Sequence, residues 1–140
     1  MSAAAKKIIR GWKALKPMPQ GGRPVLAFGF CKIDDHRMII IGGENADGNL
    51  SSGTIYDART ELWTPLPNDM PVSLQELGIA GNDKYVFVIG GMTASDRYSN
   101  SVYRLLLVTY EWTTMAPMAT ALCRLAAARK GDYICVRWCW

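Results

Sequence analysis

The chain has 140 residues, 49% of them hydrophobic and 20% charged, with 13 glycines and 7 prolines. This length and composition argue against a large multi-domain enzyme, a disordered chain, collagen and a coiled coil. A membrane-spanning helix needs about 20 apolar residues in a row. The apolar runs of this chain are far shorter, so we predict that it is not an integral membrane protein.

Basic side chains are concentrated near the start of the chain. Seven lysines and arginines precede the first acidic residue, Asp34, whereas the remainder holds nine basic and twelve acidic residues. A basic head of this kind is typical of nucleic-acid binding, of an anionic membrane surface or of a transit peptide. Because Gly11 and Pro17 would interrupt a helix, we interpret residues 1–10 as a solvated, poorly ordered segment instead. We therefore expect neither nucleic acid nor a membrane as a partner.

The cysteine content bears on the cellular compartment. Residues 1–16 lack the run of about seven or more apolar residues that a secretory signal requires. Four cysteines would allow disulfides, but without a secretory signal reduced thiols are the better interpretation. We predict a cytoplasmic protein, with the nucleus as the alternative. Its reduced thiols would be Cys31, Cys123, Cys135 and Cys139.

Four short strands are predicted in the first half of the chain. They cover residues 25–32, 37–41, 54–57 and 62–64. The intervening turns carry Asp34 and Asp35, then Gly42 and Gly43, whose glycines supply backbone angles that other residues resist.

The second half repeats this pattern. Gly90 and Gly91 follow the first double glycine by 48 residues, Tyr103 follows Tyr56 by 47, and Trp112 follows Trp63 by 49. We predict full repeats at residues 23–67 and 73–117. Partial repeats are predicted at 11–19, which contains Trp12, and at 124–140, where residues 124–128 parallel residues 23–27.

The two double glycines each follow a run that is apolar on both faces. These runs, residues 38–41 and 86–89, would be covered on both sides by neighbouring sheets. A small sheet of this kind must stack between copies of itself, as in a propeller or a solenoid.

A double glycine after an apolar strand, then a tyrosine and then a tryptophan, resembles the kelch repeat, whose period is about 50 residues. The resemblance implies an all-β fold of the galactose-oxidase-like propeller superfamily, built from four-stranded antiparallel blades. The glycines would close the second strand, the tyrosines lie on the third, and the tryptophans on the outer fourth. The residues that carry this motif are Gly42, Gly43, Tyr56, Trp63, Gly90, Gly91, Tyr103, Trp112 and Trp12.

The last repeat departs from the motif, because Arg137 to Trp140 stand where a double glycine is due. We therefore expect two complete and two partial blades in an open, incomplete ring. Such a chain would be a fragment of a longer kelch protein or would associate with further copies of itself to complete the propeller.

The loops after the double glycines are the candidate binding site. They are polar, occupy corresponding positions and would gather on one face of a propeller, where binding residues are commonly placed. The resemblance implies a non-catalytic interaction module or scaffold that presents these loops to a protein or peptide. The candidate residues are Glu44, Asn45, Asp47, Asn49, Asp96, Arg97 and Tyr98.

The alternative is a fragment of a propeller enzyme of galactose-oxidase-like or sugar-isomerase-like type that acts on carbohydrate. A copper site needs more than one imidazole, and the chain has a single histidine, His36, in a polar turn. No nucleophile motif of the serine or cysteine hydrolases is present. We predict no catalytic residue, no metal ligand and no cofactor.

Overall fold

The structure, a computed structural model, describes residues 14–18 and 25–138. The predictions for residues 1–10, for Trp12 and for Cys139 lie outside this range. Within it every regular element is a β-strand, and no helix is long and apolar enough to cross a membrane. The predicted all-β class is therefore confirmed.

Blade 1 is a four-stranded antiparallel sheet in the order β1-β2-β5-β6. Its strands are β1 (Gly29–Lys32), β2 (Arg37–Ile41), β5 (Gly53–Asp57) and β6 (Leu62–Pro65). A small hairpin of β3 (Glu44–Asn45) and β4 (Gly48–Asn49) lies in the loop between β2 and β5. The first strand begins four residues later than predicted, because Ala27 has a φ of 53° and interrupts the extended backbone.

Blade 2 repeats this sheet in the order β7-β8-β9-β10. Its strands are β7 (Gly78–Gly81), β8 (Tyr85–Ile89), β9 (Val102–Leu106) and β10 (Glu111–Met115). A hairpin of β11 (Leu125–Lys130) and β12 (Tyr133–Trp138) packs against β7 as part of a third blade. At the front of the chain, the described residues 14–18 form no strand.

The core lies between the stacked faces of blades 1 and 2. Its centre consists of fully buried aliphatic side chains of both blades, namely Ile39, Ile41, Val86, Val88 and Leu105. Each blade thus buries its apolar strands against the neighbouring sheet, as the two-sided apolar runs predicted.

The double glycines lie where three backbone segments meet. Gly42 and Gly90 have φ angles of 67° and 60°. A β-carbon on Gly42 would lie 2.6 Å from the carbonyl oxygen of Leu74 in the next repeat, and one on Gly90 would lie 2.5 Å from that of Leu122. The second glycines donate their N–H to the same carbonyls, Gly43 to Leu74 and Gly91 to Leu122, both at 2.8 Å. Glycine is needed here for positive φ and for close approach of the next blade.

The tryptophans occupy equivalent positions, but the tyrosines do not. Trp63 lies opposite Tyr56 in the sheet, whereas Trp112 lies opposite Leu105. Tyr103 is two residues earlier in the structural register, opposite Val88. This shift explains why Tyr103 and Trp112 are farther apart in sequence than Tyr56 and Trp63.

Each outer-strand tryptophan binds the segment that precedes its blade. The indole Nε1 of Trp63 donates to the carbonyl oxygen of Lys16 at 2.9 Å, and that of Trp112 donates to the carbonyl oxygen of Asn68 at 3.1 Å. The Tyr56 and Trp63 rings also contact each other in a tilted arrangement, with centroids 4.8 Å apart and an interplanar angle of 46°. These tryptophans therefore have a packing role between consecutive repeats.

Candidate functional site

Alternate connections of an antiparallel meander emerge at opposite ends of the sheet. The connections between β2 and β5, and between β8 and β9, therefore share one end with the segments that lead into β7 and β11. We call this end the loop face. It consists of residues 43–52, 74–76, 91–99 and 122–124.

The first loop is held rigidly by its own hairpin and by the lead-in to β1. Glu44 and Leu26 exchange two backbone hydrogen bonds, at 2.8 and 2.9 Å. The Asn45 side chain accepts a hydrogen bond from the N–H of Asp47 at 2.8 Å, and Gly48, with φ 116°, completes the turn. Asp47 is exposed at its tip.

The second loop is anchored in the same way. Met92 and Gln75 exchange backbone hydrogen bonds at 2.7 and 3.0 Å, as Glu44 and Leu26 do in blade 1. The N–H of Asp96 donates to the carbonyl of Thr93 at 3.0 Å, and Asp96 has a φ of 56°. This turn leaves three candidate side chains exposed, those of Asp96, Arg97 and Tyr98.

Polar side chains join the two loops at the boundary between blades 1 and 2. The Asn49 amide nitrogen donates to the carbonyl oxygen of Met92 at 3.1 Å. Gln75 is buried beside Glu44, and its amide nitrogen, turned toward Glu44, lies 3.2 and 3.3 Å from the two carboxylate oxygens. Glu44 and Asn49 therefore position the loops, because their polar atoms are occupied within the protein.

A second polar cluster lies between blades 2 and 3. Arg124 Nε is 3.2 Å from both carboxylate oxygens of Glu76. The Cys123 thiol is buried and interacts with the side chains of Glu76 and Tyr98. Desolvation, followed by the hydrogen bond with Glu76, raises the pKa of Cys123, so the thiol stays protonated and is a poor nucleophile.

Glu76 and Arg124 are equivalent residues of consecutive repeats. The N–H of Glu76 donates to the carbonyl of Ala27 at 2.8 Å, and the N–H of Arg124 donates to the carbonyl of Glu76 at 2.9 Å. All three residues have φ between 51° and 53°. The predicted parallel between residues 124–128 and 23–27 is therefore wrong by four residues, because the backbone places Arg124 in correspondence with Ala27.

The predicted site residues on the loop face thus fall into two groups. Asp47, Asp96, Arg97 and Tyr98 are exposed, whereas Glu44, Asn45 and Asn49 hold the loops in place. Sequence reasoning missed Gln75, Glu76 and Arg124, which precede the inner strands. Their signal was a charged residue just before the innermost strand of the second and third repeats, where the first repeat has Ala27. Across the described residues, no three His, Cys, Asp or Glu side chains form a group that could hold a metal ion.

Residues 77–119, which contain all of blade 2, match the family model of the Kelch motif. The chain is 28% identical over 101 residues to the host cell factor of Drosophila melanogaster, covering 71% of this chain and 7% of that protein. It is 32% identical over 66 residues to Kelch-like protein 42 of Mus musculus, covering 45% of this chain and 13% of that protein. The chain thus spans a small part of the curated relatives it matches.

The repeat period, the four-stranded sheets and the double glycines agree with these similarities. The described residues therefore form two complete blades and part of a third, as expected for kelch repeats, and residues 77–119 carry the kelch motif itself.

Proposed function

We propose that this chain is a non-catalytic interaction module that presents its loop face to a protein or peptide partner. The observation that carries the proposal is the pair of equivalent loops. Both are hydrogen-bonded to the segment before an inner strand, and both have exposed charged side chains. Binding residues are commonly placed on loops that a rigid scaffold positions.

The chemistry of the loop face supports binding more than catalysis. Glu76 and Arg124 form an ion pair, which links blades 2 and 3. The Cys123 thiol stays protonated. The exposed side chains Asp47, Asp96 and Arg97 offer both signs of charge, and Tyr98 adds an aromatic ring of the kind enriched at protein interfaces.

The test compares partner capture by three forms of the whole chain. The loop-face variant combines Asp47→Ala, Asp96→Asn and Arg97→Ala. Asparagine is chosen at Asp96 because it tolerates positive φ, and Glu44 is left intact because it contacts buried Gln75. A matched control at the opposite end removes the same charges with Lys32→Ala, Asp35→Ala and Asp83→Ala, all exposed.

We expect the wild type and the control to capture the same protein from a cell lysate, as quantified by mass spectrometry. We expect the loop-face variant to lose it while keeping the wild-type melting temperature. Equal capture by all three forms would place binding elsewhere and contradict the proposal. Turnover of a carbohydrate by the purified chain would favour the enzyme alternative.

A further inference from the structure

Side chains on the inner strand of each repeat alternate in size. The larger ones occupy one face of the strand, namely Phe28 and Phe30 in blade 1, Leu77 and Ile79 in blade 2, and Leu125 in blade 3, where Ala127 takes the place of the second large residue. The first two positions of the other face carry small residues, namely Gly29, Cys31, Gly78, Ala80, Ala126 and Ala128, and Lys130 follows them on this face of β11. Because successive residues of a strand point to opposite faces, each blade has one large and one small inner face.

The two interfaces within the chain join a small face to a large one. A β-carbon on Gly29 would lie 3.0 Å from Ile79 and 3.1 Å from Leu77 of the next blade. A β-carbon on Gly78 would lie 3.0 Å from Leu125. Each blade therefore receives the larger side chains of the blade that follows it.

On the large face of blade 1 the inner-strand side chains are exposed, although Ile40 and Thr54 on the same face are buried, whereas the equivalent inner-strand side chains of blade 2 are buried. Phe28 and Phe30 are 36% and 61% exposed, whereas the equivalent Leu77 and Ile79 are 4% and 6% exposed. Residues 14–18 pass over the outer part of this face, where Trp63 binds Lys16, but leave the two phenylalanines exposed.

The small face of the third blade is exposed as well. Ala128 lies directly opposite Cys135 in the hairpin, and Ala126 lies opposite Arg137. All four residues are exposed and line an open groove of about 510 Å³. The groove on blade 3 therefore corresponds to the small face, and the two phenylalanines to the large face, of the contact that joins consecutive blades elsewhere in the chain.

The backbone continues the same pattern. Hydrogen bonds run from Glu76 to Ala27 and from Arg124 to Glu76, one per blade boundary. Among bonds between described residues, this series ends at the N–H of Ala27 and the carbonyl of Arg124. A blade seated on the groove would bring these two groups together in the same geometry.

We propose that a second copy of this chain docks the large face of its blade 1, at Phe28 and Phe30, into the Ala126–Ala128 groove of the first. The contact continues the interface seen twice within the chain, and a second copy carries the matching large face. Such a head-to-tail contact uses different surfaces on the two copies, and it therefore leaves a groove and a large face free at the ends of the pair.

The test blocks the two surfaces separately. Phe30→Glu places a charge on the large face, and Ala128→Arg fills the groove. Both positions are exposed in a single copy, so both variants should keep the wild-type circular dichroism spectrum and melting temperature. Ala126→Arg provides a second groove variant if Ala128→Arg does not fold. Mass is measured by sedimentation over a range of concentrations.

We expect the wild type to associate beyond its 15.5 kDa mass as concentration rises. The self-association of each variant alone should be more than about tenfold weaker than that of the wild type. An equimolar mixture of the two should form a heterodimer, because one groove and one large face remain intact. A monomeric wild type, a mixture that fails to associate, or variants that associate as the wild type does would each overturn the proposal. The last result would indicate pairing through the exposed edge of β12.

Discussion

The carbonyl oxygen of Leu122 lies 2.5 Å from the position that a β-carbon on Gly90 would occupy. The same relationship joins Leu74 to Gly42 one repeat earlier, at 2.6 Å. The first glycine of each pair therefore sets how closely the following repeat approaches the blade, in addition to accommodating positive φ.

Gly90→Ala should destabilise the protein more than Gly131→Ala does. Both glycines have a left-handed backbone conformation, with φ of 60° and 57°. A β-carbon on Gly131, however, would meet nothing within 4 Å. Gly131→Ala should cost about 1 kcal/mol of unfolding free energy from backbone strain alone. Gly90→Ala should cost about 1–3 kcal/mol more, because Leu122 and Leu125 must move. Urea unfolding of both variants measures the difference, and equal losses would refute the steric explanation.

Asp34→Ala should destabilise the turn between β1 and β2. Asp34 accepts hydrogen bonds from the N–H groups of His36 and Arg37, both at 2.8 Å, and pairs with the Arg37 guanidinium at 2.7 Å. Asn82 accepts the same two backbone bonds in blade 2, with an amide oxygen. At pH 7 we expect a loss of about 1 kcal/mol for Asp34→Ala and a smaller loss for Asp34→Asn, which keeps the acceptor.

The stability that the Asp34 carboxylate adds over asparagine should depend on pH. The hydrogen bond from His36, followed by that from the Arg37 side chain, lowers the pKa of Asp34 from 3.8 to about 2. Because the pKa is lower in the folded state, this stabilisation is present above pH 3.8 and is lost as pH falls through about 2. Urea titrations of wild type and Asp34→Asn at pH 7 and near pH 2 test this. If the difference in unfolding free energy between wild type and Asp34→Asn is the same at both pH values, the charge of Asp34 does not contribute to stability.

Trp112→Phe should lower the unfolding free energy by about 1 kcal/mol, because a smaller aromatic ring remains in place but the hydrogen bond to the Asn68 carbonyl is lost. Thr114→Val, on the same strand at an exposed position, is the control and should change stability by less than about 0.5 kcal/mol. Thermal melts compare the two. Similar melting temperatures would mean that the indole N–H does not help to join the repeats.

Cys135 should react with iodoacetamide faster than Cys31 and Cys123 in the folded protein, at a concentration low enough to keep the chain monomeric. Cys135 is exposed, whereas burial raises the pKa of Cys31 to about 11 and also raises that of Cys123. The thiolate is the reactive form, so the two thiols with a raised pKa should be alkylated slowly at pH 8. Peptide mapping after short labelling gives the rates, and unfolding in urea should remove the difference. Rapid labelling of Cys31 without denaturant would contradict its burial.

Strand positions in this protein follow from local patterns. The apolar runs of β2 and β8 and the glycines after them recur at a constant spacing, and alternation of side chains on a strand is a property of neighbouring residues. The sequence alone therefore predicted the four strands of each complete repeat, the repeat itself and the stacking of blades, but not the start of β1 or the alignment of the third repeat. It also located the loops after the double glycines.

Tertiary structure decided the register and the contacts between repeats. A shift of two residues leaves every side chain on the same face of a strand, so the sequence could not show that Tyr56 is equivalent to Leu105 and not to Tyr103. Likewise Glu76 and Arg124 are 48 residues apart and meet only because consecutive blades stack. Short-range patterns specify each blade, whereas the polar clusters of the loop face arise from the packing of one blade on the next.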